Sequence, residues 1–133
     1  MDKPVYLIDH RTNSGVGIEA YSNWDYVRLA DVSGKLADRV IFHRQGNGFI
    51  IEHTTGHWDG YRYWHSDGTG VKLNDRAHAS VFRVGYERGH EKEGLVIVGP
   101  KFGAPLNSQH DGKSWLKEQS SPGHYVAHFH VKS

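Results

Sequence analysis

The sequence predicts a single all-β domain, and three observations support this prediction. No window of a dozen residues keeps apolar residues at helical spacing, because 16 glycines are spread along the whole chain. Short runs rich in β-branched and aromatic residues alternate instead with Gly, Asn, Asp and Ser. The length of 133 residues fits one domain with one core. We therefore expect residues 1–133 to fold as one unit.

The apolar runs predict twelve short strands, each bounded by turn residues. They fall near 4–9, 16–21, 26–30, 39–44, 48–53, 61–65, 70–74, 81–86, 94–98, 104–108, 114–118 and 124–131. Short strands at this even spacing are typical of a closed barrel or a sandwich.

An internal repeat narrows the prediction from an all-β domain to one particular fold. A leucine in the middle of each third recurs at intervals of 44 and 43 residues, at Leu29, Leu73 and Leu116. Each third also closes on a phenylalanine in a β-run, at Phe42, Phe82 and Phe129. Three copies imply a pseudo-threefold axis, which a closed barrel capped by hairpins accommodates and a flat sheet does not. The predicted fold is a β-trefoil of three four-strand repeats, at about 3–46, 47–90 and 91–133.

Composition excludes several classes of function. The 16 Lys and Arg against 15 Asp and Glu leave a charge of +1, and both signs are scattered, which argues against nucleic acid and anionic membranes as partners. The absence of cysteine excludes disulfides, thiolate catalysis and Cys-bearing zinc sites. No secretory signal or membrane-spanning run is present, so we expect a protein that is cytoplasmic as synthesised, with leaderless export left open.

Motifs for catalysis or metal binding are also missing. There is no nucleophile elbow, no phosphate-binding loop and no HExxH pattern, so we expect a protein that is not an enzyme and has no cofactor. Among the 11 histidines, His128-x-His130 places two imidazoles on one face of a strand. Because they flank the closing Phe129, we expect them on a solvated face of the strand and predict no metal site there.

A polar and aromatic set recurs at matching points of the three copies, around the central strand. Aromatic rings stack on the C–H face of a hexose, and acids, amides and imidazoles bind its hydroxyls. The candidate ligand-binding residues are Trp24, Asp25 and Asp31 in the first copy, Trp64, His65, Asp67, Gly68, Asn74, Asp75 and His78 in the second, and His110 and Asp111 in the third. The Asp-Gly pairs at 67–68 and 111–112 also build hairpin turns, so a turn alone and a turn with ligand contact both stay open.

This pattern predicts a non-catalytic lectin with up to three shallow sites, whose avidity comes from the repeat. The threefold pattern resembles the β-trefoil lectins of the ricin-B-like superfamily, over nearly the whole chain. The middle copy, from Phe49 to Phe82, is similar to the repeat of the galactose-binding mussel lectins. In that resemblance, His65 and Gly68 match the glycine-rich turn, and Asp75 and His78 match the His-x-Asp-x-His run. It implies glycans carrying galactose or N-acetylgalactosamine as partners.

The sequence departs from these lectins at several points. The turn lacks its proline and its second glycine, and the Gln-x-Trp motif of ricin-type repeats is absent. A protein-binding trefoil is therefore the alternative, either a protease inhibitor or a His-rich cytoskeletal binder. Two segments are long enough to act as an inhibitor loop, Gly85 to Gly94 and Gln119 to Tyr125. Whether the chain forms a homodimer is left open.

Overall fold

The computed structural model describes residues 3–31, 37–67, 70–86, 95–99, 106–110, 113–118 and 128–133. Twelve strands lie within these residues. They are β1 (Val5–Asp9), β2 (Ser14–Tyr21), β3 (Trp24–Asp31), β4 (Arg39–Gln45), β5 (Gly48–His53), β6 (Tyr63–Ser66), β7 (Val71–Asn74), β8 (Arg83–Tyr86), β9 (Leu95–Gly99), β10 (Leu106–His110), β11 (Lys113–Glu118) and β12 (Phe129–Lys132).

The all-β prediction is confirmed, and each expected strand overlaps an observed one. The last strand was expected over 124–131 and β12 begins at Phe129, while 124–127 lie outside the described residues. A single 3₁₀ turn at Arg76–His78 is the only helical segment in the described part of the chain. No helix long and apolar enough to cross a membrane occurs among the described residues.

The strands close into a barrel through antiparallel pairing. One circuit runs through seven strands, from β1 by way of β2, β3, β7, β6, β5 and β4 back to β1. The first strand also pairs with β12, which pairs with β9, which pairs with β8. Phe49 of β5 and Phe82, the residue before β8, exchange two backbone hydrogen bonds and link these strands. The hairpin β10–β11 joins the other hairpins where β11 pairs with β3. Closure by pairing leaves few exposed strand edges.

One hydrophobic core fills the barrel. The leucines that the repeat singled out, Leu29, Leu73 and Leu116, are buried and belong to the same cluster. The three closing phenylalanines, Phe42, Phe82 and Phe129, are buried in that cluster as well. The prediction that these positions share one interior is confirmed. Side chains at the alternate positions of the same strands face outward, which is how the strands present the polar residues described next.

Candidate functional site

The segment of residues 54–62, between β5 and β6, forms an exposed loop with a well-bonded base. The Thr54 amide donates to the carbonyl of Arg39 over 3.1 Å. The hydroxyls of Thr54 and Thr55 donate to the Asp38 carboxylate, over 3.1 and 3.0 Å. At the other end of the loop, Arg62 donates to the carbonyl of Thr54. The His53 amide of β5 also donates to the carbonyl of Arg62 over 2.8 Å, so both ends of the 54–62 loop are tied to the barrel.

Asp38 is held as a charged acceptor by its neighbours. Burial raises the pKa of its carboxyl, but the hydrogen bond from His53, the charge of His53 and the two threonine hydroxyls together outweigh burial. The net pKa of Asp38 is therefore lowered. The His53 side chain is fully buried, so this pair connects the loop base to the core.

A buried carboxylate fixes the imidazole of His57 in the middle of the loop. Asp25 is 1% exposed, and its two oxygens accept hydrogen bonds from Nδ1 of His57 over 2.6 Å and from the His57 amide over 2.7 Å. The imidazole itself is 59% exposed. Because a carboxylate oxygen only accepts, Nδ1 carries the proton, and Nε2 faces solvent as an acceptor in the neutral ring.

Aromatic rings lie in the same loop and on the neighbouring strand β3. Trp24, at the start of β3, meets Tyr61 of the loop edge to face, with ring centroids 6.0 Å apart. We call these two residues the aromatic corner. Tyr61 is exposed, and so is Trp58, whose ring contacts that of His57. The Lys72 ammonium lies 4.0 Å from the centroid of the Trp24 ring, a cation–π distance.

The second group of polar residues is the predicted set around β6 and β7. His65 Nδ1 donates to the carbonyl of His78 over 2.8 Å, and the carboxylate of Asp75 accepts from both the amide and Nδ1 of His78. The Asn74 side chain accepts from the amide of Asp75. We call these four residues the polar cluster. The hydrogen bond from His78 lowers the pKa of the Asp75 carboxyl, which stays charged to accept it.

The aromatic corner and the polar cluster lie on one face of the hairpin strands. Tyr26 of β3 is opposite Lys72 of β7, and Lys72 is opposite His65 of β6. Directly opposed residues point to the same side of a sheet, so the row from Tyr26 to His65 crosses this face. Lys72 contacts Trp24 at one end, and His65 contacts His78 at the other. Trp24 of the first copy and the polar cluster of the second copy therefore lie on one surface.

Several of the predicted residues have other roles. Trp64 was expected to be an open stacking platform, and this expectation is wrong: its ring is fully buried in the core, edge to face with Phe82. Asp25 was expected to bind ligand directly, but its oxygens are occupied by His57, so it acts as a positioning group. Asp67 accepts from the amide of Gly70 and closes the β6–β7 turn.

The remaining candidates lie outside what the structure describes. These are Gly68, Asp111 and the side chains of Asp31 and His110. Of the two expected inhibitor loops, 87–94 and 119–125 fall outside the described residues as well.

Sequence reasoning missed three residues of the 54–62 loop, namely His57, Trp58 and Tyr61. Tyr61 was assigned to a strand, whereas β6 begins at Tyr63. The signal that could have identified them is the pair of aromatic residues in the segment His57-Trp58-Asp59-Gly60-Tyr61, because a simple connection between strands needs none. Among the described residues, no group of three or more His, Asp or Glu side chains is placed to hold a metal ion.

The sequence matches no protein-family model and no curated protein. Similarity appears among solved structures. The chain is similar to lysenin in its pore form, with a TM-score of 0.72 and 10% identity over 97% of this chain and 45% of that one. It is similar to lysenin in complex with phosphocholine, with a TM-score of 0.70 and 11% identity over 97% of this chain and 43% of lysenin. The chain thus spans less than half the length of the lysenin chains it matches.

A third similar structure covers both chains almost completely. It is a proteinase inhibitor from Coprinopsis cinerea, with a TM-score of 0.68 and 9% identity over 100% of this chain and 98% of the inhibitor. At these identities the likeness concerns the fold alone. Together with the closed strand circuit, it establishes a β-trefoil-like all-β barrel. Function has to be argued from the surface residues of this chain.

Proposed function

We propose that this protein is a non-catalytic carbohydrate-binding protein whose principal site is the aromatic corner together with His57. The observation that carries the proposal is an exposed imidazole that is oriented by a carboxylate of 1% exposure and is in contact with the exposed ring of Trp58. A structural pair alone needs no exposed rings around it. A sugar needs both a stacking surface and a directional acceptor.

The parts of the site have distinct roles in this proposal. Tyr61, and Trp58 beside it, offer apolar surface for the C–H face of a hexose. Nε2 of His57 accepts a hydrogen bond from a hydroxyl. Lys72 donates to a ring or hydroxyl oxygen from its place over Trp24. Because the loop is tied at both ends, little conformational entropy is lost when the ligand binds.

The polar cluster extends the site along the same face. Nδ1 of both His65 and His78 is already bonded within the protein, so the second nitrogen of each ring is directed to other partners. The resemblance of the middle copy to galactose-binding lectins makes galactose and N-acetylgalactosamine the first sugars to test. An oligosaccharide would span both the aromatic corner and the polar cluster.

The proposal is tested by glycan-array screening followed by calorimetric titration with the best glycan. Tyr61→Ala is expected to weaken binding roughly tenfold, about 1.4 kcal/mol, because it removes a stacking ring. Val81→Ala serves as the matched control, since it also trims exposed apolar surface outside the site. Phosphocholine is included among the ligands, because one of the similar structures is a complex with it. A blank array, or equal affinity for the wild type and Tyr61→Ala, refutes the proposal.

We also propose that the barrel consists of three four-strand repeats. Supporting this, each of the sets β1–β4, β5–β8 and β9–β12 contains one antiparallel hairpin at its centre, namely β2–β3, β6–β7 and β10–β11. The repeats would differ in their sites, since the 54–62 loop of the second repeat corresponds to the shorter connection 10–13 in the first. Agglutination by the purified protein would indicate that more than one site binds.

A second candidate function is inhibition of a proteinase, and the braced loop favours it. An inhibitory loop has to be exposed yet rigid, so that binding orders little. The 54–62 loop meets both conditions, because Asp38 and Arg62 brace its base and Asp25 braces its middle. The full-length likeness to a proteinase inhibitor motivates the same test.

A proteinase panel separates the two candidates. If the loop inhibits, a nanomolar to micromolar effect on at least one proteinase is expected, and Trp58→Ala reduces it, because that exposed side chain is the part most accessible to a partner. No inhibition of serine, cysteine and aspartic proteinases would eliminate this candidate and leave the carbohydrate proposal standing.

A further inference from the structure

Three histidines lie on the outer face of the strand pair that joins the two ends of the chain. In β1 and β12, Ile8 is opposite His130 and Asp9 is opposite Phe129. Phe129 points into the core, so the alternating residues His128 and His130 face the other way. His10, one residue beyond β1, continues the pairing through its amide, which donates to the carbonyl of His128 over 2.7 Å.

Two of these imidazoles are in direct contact. Nδ1 of His10 and Nε2 of His130 are 2.9 Å apart, and the ring centroids are 5.1 Å apart at an interplanar angle of 55°. Two ring nitrogens at this distance share one proton, or they can be bridged by a metal ion. With metal–nitrogen bonds of about 2.0–2.1 Å, two ligands at 90° have their nitrogens about 2.9 Å apart, and at the tetrahedral angle about 3.3 Å.

The separation therefore matches neighbouring positions in a tetragonal coordination sphere. Among divalent ions, Cu²⁺ and Ni²⁺ prefer that geometry with nitrogen ligands, and Cu²⁺ binds such ligands most strongly. The contact is exposed, so water can complete the coordination. The backbone bond at His10 and the β1–β12 ladder hold the two side chains in place before any ion arrives.

We infer that His10 and His130 form a two-imidazole binding site for Cu²⁺ or Ni²⁺, completed by solvent. When the metal ion binds, it takes the place of the proton between the two rings. The imidazole that donated this proton shifts it to its own other ring nitrogen, so that both facing nitrogens present a lone pair to the metal. His128 lies on the same face and has contacts of its own. The proposed site requires only His10 and His130.

The inference goes beyond the proposed carbohydrate binding and does not depend on it. The two ligands are 120 residues apart in the sequence, and they connect the first and last strands of the barrel. A bound metal would therefore hold the β1–β12 pair together and raise the thermal midpoint of unfolding, because it binds the native arrangement better than the unfolded chain.

The test is calorimetric titration of the native protein with CuCl₂ and, separately, NiCl₂, with the thermal midpoint measured beside it. We expect one metal ion per chain at the tightest site, a higher midpoint, and reversal by a chelator. His10→Gln and His130→Gln are each expected to weaken that site at least tenfold and to abolish the rise in the midpoint. Both changes keep a polar side chain, at the exposed position 10 and at the half-buried position 130, so folding is retained, which near-UV circular dichroism checks.

His43→Gln is the matched control, since it removes a histidine that lies elsewhere, beside Glu52. It is expected to leave the tight site unchanged. Copper electron paramagnetic resonance provides a second readout, because coupling to two imidazole nitrogens should collapse to one in either single variant. Wild-type affinity in His10→Gln and His130→Gln, or equal weakening by His43→Gln, would overturn the inference.

Discussion

Asp25 shows how one buried side chain determines what a neighbouring exposed side chain can do. Its two oxygens bind the amide and the ring of His57, and these bonds orient a ring that is otherwise open to solvent. A carboxylate that held no partner at this depth would be costly, so the pair is stable only as a unit. Asp25 therefore acts through His57 and does not contact a ligand itself.

Asp25→Ala is expected to weaken both folding and binding. The amide and Nδ1 of His57 lose their acceptor, which costs about 1–3 kcal/mol of the free energy of unfolding. Glycan affinity is expected to fall, but by no more than in His57→Ala, because the ring is still present and loses only its orientation and its tautomer. Urea denaturation and calorimetric titration measure the two effects. Full affinity in folded Asp25→Ala would show that the orientation of His57 is irrelevant to the site.

Asp38 makes the free energy of unfolding depend on pH in the acid range. Its pKa is lowered in the folded state, so its contribution is fully present above the ordinary carboxyl value of about 3.9 and is lost as the pH falls through the folded value. The wild type is therefore expected to lose stability below about pH 4. Asp38→Asn should be less stable at pH 7 and should show a shallower acid decline. Urea denaturation between pH 3 and 7 tests this, and parallel acid limbs would contradict it.

At the scale of single elements, β5 is positioned by a close backbone contact with the residues just before β8. A Cβ built on Gly48 would lie 2.6 Å from the carbonyl oxygen of Phe82 and 2.7 Å from a methyl carbon of Val81. Real Cβ atoms do not approach a backbone oxygen so closely. Only glycine lets Phe49 reach Phe82 and form the bridge between β5 and the start of β8.

Gly48→Ala is expected to force these backbones apart and to destabilise the fold by about 1–3 kcal/mol. Gly85→Ala is the matched control, because a Cβ there meets no atom within 4 Å. That control should be neutral or slightly stabilising, since alanine restricts the unfolded chain. Denaturant unfolding of both variants gives the comparison. Equal stability of the two would refute the role assigned to the β5 contact.

The alternation of side chains within one strand explains why Trp64 was wrongly predicted to bind ligand. In β6 the residues Tyr63, Trp64 and His65 alternate between the two faces, and any of them could stack on a sugar if it faced outward. The pairing of Trp64 with Leu73 sends both side chains to the core. This strand has aromatic residues on both of its faces, so its composition does not identify the face that is buried. Only the pairing with the neighbouring strand shows which face points into the core.

At the scale of the whole molecule, the barrel is held by one core to which all three thirds contribute. Leu29, Leu73 and Leu116 come from strands in different thirds and lie in one cluster. Since the core is shared, weakening any third should weaken the whole barrel rather than release one part.

Leu29→Ala, Leu73→Ala and Leu116→Ala are each expected to cost about 2–5 kcal/mol, as large-to-small changes in a packed core do. A small domain has only about 5–15 kcal/mol in total, so each variant should remain cooperative but melt earlier. Far-UV circular dichroism and tryptophan fluorescence should report the same midpoint. Separate transitions for the two probes in any variant would show that the thirds unfold independently.

Much about this protein was determined by its sequence alone. The positions of the strands, the all-β class and the core leucines and phenylalanines follow from local patterns, because β-propensity, turn residues and the repeat act over short stretches. The polar cluster was predicted for the same reason, since His65 lies in the β6–β7 hairpin and His78 lies just after it.

Only the tertiary structure decided which residues meet across the fold. It brings Asp25 to His57, and Trp24 to Tyr61, because the 54–62 loop packs against β3. It also brings His10, just after β1, into contact with His130 of β12. These pairs depend on the register of strands far apart in the chain and on the packing of an irregular loop, and neither is encoded in the local spacing of residue types.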